Sequence, residues 1–219
     1  MFRRIRELLF GASPAEAAQR AQLDQLVRNL QEGTGGLPLC DLRPVLIPSS
    51  IFDKGWWIGP YHHFPALPVS LTWAYLCPEN TMQYLTDDAA ARLTAEGIDW
   101  RTSSREALRA DFDRQPWSRA SRTEEGALGA VALLHDDGLG PSRLLCYDGL
   151  LKLFPDGFQL YVPDRYSAFL LSNTAPPAFL DGVTHSVRHV HQNAGVPMSL
   201  DPHDHSLLRE ALASAGELV

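Results

Sequence analysis

Apolar residues recur at helical spacing early in the chain and then give way to two-residue alternation. Ser13-Pro14-Ala15-Glu16 carries three start signals: a hydroxyl that can cap a free amide, a proline at the first helical position and a glutamate completing a capping box. Behind it, Ala17, Ala18, Ala21, Leu23, Leu26, Val27 and Leu30 form a helical stripe that stops at Gly33. Gly35-Gly36 and Pro38 mark a hinge. Leu42 to Ile47 and Val69 to Cys77 read as strands. The second, bounded by Pro68 and Pro78, puts Val69, Leu71, Trp73 and Tyr75 on one face. Thr86-Asp87-Asp88 opens a helix that Gly97 ends. Ser103-Ser104-Arg105-Glu106 reads as a capping box for a further helix, which runs to about Gln115, before Pro116.

Gly129 to Leu134 predicts a strand, followed by the turn residues Asp136-Asp137-Gly138. Leu150 to Phe154 and Phe158 to Val162 flank Pro155-Asp156-Gly157, the pattern of a hairpin, and Tyr166 to Leu171 adds a third strand. Phe179, Val183, Val187, Val190 and Ala194 line up as one helical stripe, whereas a strand would put Val190 on the wrong side. Ser206 to Leu212 closes the chain as a helix ending at Gly216. Strand and helix runs mix without β-α-β alternation. The expected fold class is therefore α+β, an antiparallel β-sheet with a β-hairpin packed against several helices. One domain over residues 1-219 is expected, with 1-33 as an N-terminal helical segment.

Composition narrows the function. Net charge is −7, with 45% hydrophobic and 21% charged residues, which suits a globular chain and not a disordered one. Nucleic acid is not an expected partner, because the only basic cluster is Arg3, Arg4 and Arg6. No run approaches the roughly 20 apolar residues of a spanning helix, so no integral membrane segment is expected. Met1 to Phe10 lacks the apolar core and cleavage site of a secretory signal, and the cytoplasm is the expected location. Cys40, Cys77 and Cys146 form no C-x-x-C pair and read as small buried hydrophobes.

Two segments carry candidate chemistry. Phe52 to Phe64 concentrates aromatics between Gly55, Gly59 and Pro60. Trp56, Trp57, Tyr61 and Phe64 are its candidate binding residues, since rigid rings on an exposed loop anchor a protein partner at small entropic cost. The plain alternative is that they plug the end of the core. The second segment is histidine-rich: His185, His189, His191, His203 and His205, with Asp201 and Asp204. His185 and His189 have the i, i+4 step of a shared metal site, but Ser186 stands where a metalloprotease carries glutamate. The valine stripe also turns both imidazoles toward water, so no metal and no cofactor is expected. Nucleophile elbows and glycine-rich phosphate loops are absent. Asp164 and Arg165 follow Pro163 in what reads as a structural turn.

Met1-Phe2, Leu9-Phe10-Gly11 and Ser13-Pro14-Ala15-Glu16, together with Leu71-Thr72-Trp73-Ala74-Tyr75 and Met82-Gln83-Tyr84-Leu85-Thr86, resemble the YtpQ-like family of bacterial proteins. Phe154 to Phe158, Val162 to Arg165 and Val196-Pro197-Met198-Ser199 extend the resemblance. That family has no assigned function, so the resemblance implies a cytoplasmic bacterial protein and supplies no catalytic residue. The expected function is a non-enzymatic binding or regulatory protein using the 52–64 surface. The alternative is a metal-dependent hydrolase built on His185, His189, His203 and His205.

Overall fold

The computed structural model describes residues 39–55, 57–77 and 81–216. The helix expected at Ser13 to Gly33 lies outside them. The described chain forms an α+β fold whose two sheets are antiparallel throughout.

The first sheet is built on β1 (Leu42–Pro48), β2 (His62–His63), β3 (Val69–Cys77) and β4 (Thr81–Tyr84). β3 is central, pairing with β1 along seven residues, Leu42 opposite Tyr75 through Pro48 opposite Val69. β2 and β4 divide its other edge between them. The strand alternates as its pattern demands. Val69, Leu71, Trp73 and Tyr75 enter the main core, while Ala74 joins Val45, Ile47 and Tyr84 in a second cluster on the opposite face. Both faces are covered, so seven consecutive β3 residues are buried.

The helices α1 (Asp87–Ala95) and α2 (Trp100–Arg114) follow. Thr86 caps α1 by accepting from the Ala89 N–H at 3.2 Å. α2 begins earlier than the serine pair suggested. Asp99 is its cap, accepting from the Thr102 N–H at 3.1 Å, and Ser103 and Ser104 are interior residues whose hydroxyls donate back to Asp99 O and Arg101 O. Trp100 decides this boundary: its indole is 1% exposed and meets Trp73 edge-on at 5.1 Å, so the helix must start where that ring can reach the core.

The second sheet has the order β5-β6-β8-β7-β9. Its strands are β5 (Arg119–Arg122), β6 (Leu128–Leu133), β7 (Phe158–Asp164), β8 (Ser167–Ser172) and β9 (His203–Asp204). The expected hairpin at Leu150 is corrected here. Tyr147–Leu153 is a helix, α3, burying Tyr147 and Leu150, and the hairpin is β7 with β8 across Arg165 and Tyr166. A short apolar run is compatible with either conformation. The helix wins because it buries Tyr147, Leu150 and Phe154 at steps of three and four. Gly149 lets it approach α2, as a Cβ there would lie 2.5 Å from the Phe112 ring. The expected turn at Gly157 is observed, with φ at 83°.

α4 (Pro177–Asn193) and α5 (His205–Ala215) complete the fold. The helical stripe on α4 is as expected, with Val183 and Val187 buried and Phe179 and Val190 packed beside them on the outer face of the second sheet. One face of each sheet, joined by α1, α2, α3 and α5, builds the main core. No helix among the described residues is long and apolar enough to cross a membrane.

An ion pair between a buried arginine and a half-buried aspartate braces the loop after β6, and the arginine ties that loop to Gln115. Arg143, 2% exposed, grips Asp137 with its two terminal guanidinium nitrogens at 3.2 and 2.8 Å and donates from Nε to Gln115 O. Burial alone raises the Asp137 pKa, but the bonds from Arg143 and the Leu139 N–H outweigh it and hold the carboxyl below its usual value. A lowered native pKa means stability that is present above the unfolded value of about 3.9 and is lost as pH falls through the native one. Asp137→Asn should lower stability by about 3 kcal/mol at neutral pH, because it strands a buried guanidinium. In urea unfolding the deficit relative to the parent should shrink once the medium is acidic enough to protonate Asp137.

Candidate functional site

The aromatic segment folds into a well-braced cap over the second core cluster. Phe52, in the 3-10 turn Ser49–Lys54, stacks on Tyr61 at 4.4 Å and tilts against Trp57 at 4.9 Å. Trp57 in turn meets Tyr84 edge-on at 4.9 Å. The backbone is pinned by the Asp87 N–H donating to Ile58 O at 2.8 Å and by the Thr72 hydroxyl donating to Pro60 O at 2.8 Å. Of the four sequence-predicted binding residues, Trp56 lies outside the described residues. Phe64 is 1% exposed within the main core, so no partner can touch it, and Trp57 is half-buried. Tyr61 alone is largely exposed, together with Ile58. The surface offered here is much smaller than the sequence promised.

The histidines separate. His185 and His189 are exposed on α4, while His203 sits in β9 and His205 opens α5. Among the described residues no three His, Cys, Asp or Glu side chains come together where they could hold a metal ion. His205 is instead a packing residue, accepting or donating across 2.8 Å to the Tyr147 hydroxyl and tilting against Phe158. Burial lowers the His203 pKa, with Asp201 opposing.

Two concavities of ligand size were not visible in the sequence. A cleft of about 680 Å³ lies between α2, α3 and α5, with Leu108, Phe112 and Leu153 among its walls. Its charges are mixed: Arg105, Arg109, Lys152 and Arg209 against Glu106, Asp113 and Asp148. Cys146 lines it, but burial pushes that thiol up to about 12 against the pull of Arg143, so it is no nucleophile at neutral pH.

The other is a groove of about 750 Å³ between α4 and the β5 end of the second sheet. Ala130, Ala132 and Phe169 form its floor, and Phe179, Val183 and Val190 its apolar wall. His185 and His189 stand at its lip, and Arg119, Ala120 and Ser121 bring β5 into it. β5 ends the sheet: it pairs with β6 and with no other strand among the described residues. All four of its residues are exposed.

No family model, curated protein or solved structure matches this chain.

The groove is thus read from its own geometry. α4 covers β7 and β8 more than β6, and the small side chains of Ala130 and Ala132 leave the sheet recessed where the helix does not reach. Gly129 allows the Phe179 ring to lie against the strand, a position a Cβ would occupy. What remains is a half-covered sheet ending in an open edge, which can receive backbone hydrogen bonds and apolar side chains together. The α2–α3–α5 cleft gives a simpler expectation. Iodoacetamide at mildly alkaline pH should leave Cys146 unmodified in the native protein and alkylate it after unfolding, as read by peptide mass spectrometry.

Proposed function

We propose that this chain is a non-enzymatic binding protein that takes up an extended segment of a protein partner beside β5. The observation that carries the reading is the coincidence of an edge strand with a bordering apolar groove. An added strand satisfies its backbone polar groups on β5, and every second side chain falls on the groove face, as in other strand-addition modes. The groove volume is within the roughly 300–1,000 Å³ range of pockets that bury most of a ligand.

The edge also explains why copies of the chain need not pair with one another here. Centred two-fold pairing of Arg119-Ala120-Ser121-Arg122 would set Arg119 opposite the Arg122 of a second copy, and like charges directly opposite are unfavourable. The irregularity between Ser121 and Arg122 further disturbs a flat edge. The resemblance to the YtpQ-like family adds no residue to this reading.

Selection of a random peptide library on the full chain, followed by hydrogen exchange with a selected peptide, tests it. Slowed exchange at 119–122 and along the groove wall of α4 is the expected result. Protection confined to the α2–α3–α5 cleft or to the Tyr61 surface, or a library that yields no binder, overturns the proposal.

A further inference from the structure

The geometry of the groove points to the chemistry of its partner: we infer that the segment taken up beside β5 is acidic, with a carboxylate opposite Arg119 and an apolar side chain opposite Ser121. This inference rests on the strand-capture reading and adds to it a charge and a register.

Parity across the sheet supplies the register. Arg119 pairs with Ala132 and Ser121 with Ala130, whereas Ala120 pairs with Val131. Ala130 and Ala132 belong to the α4 side of the sheet and Val131 to the main core. Paired residues share a face, so Arg119 and Ser121 stand on the groove side. Side chains of an added strand opposite these two project over the same floor. Opposite Ser121 the neighbours are Ala130 and the apolar wall, and an aliphatic group there removes apolar surface from water on both partners. Opposite Arg119 the neighbour is a guanidinium.

The charge follows from what lines the groove. In a chain of net charge −7, no Asp or Glu among the described residues lines it, while Arg119, His185 and His189 do. The acids nearest in sequence, Asp181, Asp136, Asp137 and Glu124, all lie outside the lining. The Arg119 side chain makes no ion pair or hydrogen bond among the described residues. Arg122, by contrast, is spent within its own turn, donating from Nη1 to Gly126 O at 2.8 Å. The two imidazoles stand four residues apart on one helix face, and even a neutral imidazole offers one N–H to a carboxylate. The α2–α3–α5 cleft, whose acids nearly match its cations in number, has no such polarity.

Three short labelled peptides test this, each a repeat of Xaa-Ser-Val-Ser that sets Xaa and Val two positions apart on one strand face, with Xaa as Glu, Lys or Ser, and each is titrated against the full chain by fluorescence anisotropy. The Glu peptide should bind at least about tenfold more tightly than the Lys peptide, and added salt should weaken it. Arg119→Glu, an exposed change with its fold checked by circular dichroism, should reverse that order. Equal binding of the three peptides, or a Glu preference that survives Arg119→Glu, overturns the acidic partner and leaves strand capture standing. Failure of all three peptides overturns it too; strand capture falls only by the library selection or the exchange map described for it.

Discussion

Everything in this molecule is arranged around a strand that cannot meet water on either side. β3 presents Trp73, Leu71 and Tyr75 to one cluster and Ala74 to another, and its polar members Ser70 and Thr72 are fully buried. Fully burying one large apolar side chain is worth about 1.5–3 kcal/mol, but only if both faces find cover. One face receives Trp100, the α1 alanines and the inner residues of the second sheet. The other receives the aromatic turn and the Tyr84 ring. The buried hydroxyls are satisfied locally: Ser70 Oγ contacts His63 Nδ1 at 2.7 Å and Ser49 Oγ at 2.8 Å, and Thr72 binds Pro60 O. Ile51, Phe52, Trp57 and Phe64 are therefore part of the cover over β3.

The second sheet solves the same problem incompletely. Its inner face closes the main core, and among the described residues its outer face has a single helix to cover it. α4 lies over β7 and β8, so among the described residues β6 is left with the small side chains of Ala130 and Ala132, and β5 with an open edge. The groove is the remainder of that coverage. Its neighbours on α4, the imidazoles of His185 and His189, look like chemistry in isolation and act in this setting as a polar lip.

Most strands and helices were legible in the sequence because their signals are local. The alternation of Val69 to Tyr75, the Thr86 cap and the valine stripe of α4 each need only neighbouring residues to be read. The two misreadings share one cause. At Leu150 to Phe154 the run is too short for its period to show, and no capping side chain announces α3. At Trp100 the helix starts where an indole must reach Trp73, a contact between residues far apart in sequence. In both places tertiary burial overrode a local pattern. Of the predicted site residues that are described, Tyr61 stands at the surface, Trp57 is half-buried against the second cluster, and Phe64 faces inward because β3 needs it there.

The residues alone decided the class, the central strand, the helical state of 177–193 and the outward direction of His185 and His189, since periodicity assigns a face without knowing what covers it. Only the tertiary structure decided that, among the described residues, Arg119 to Arg122 form an edge, Ala130 and Ala132 floor a groove and acids are missing from its lining. Those properties belong to pairs of strands and to the limited reach of one helix. No stretch of sequence contains them, because an edge is defined by the neighbour that is not there.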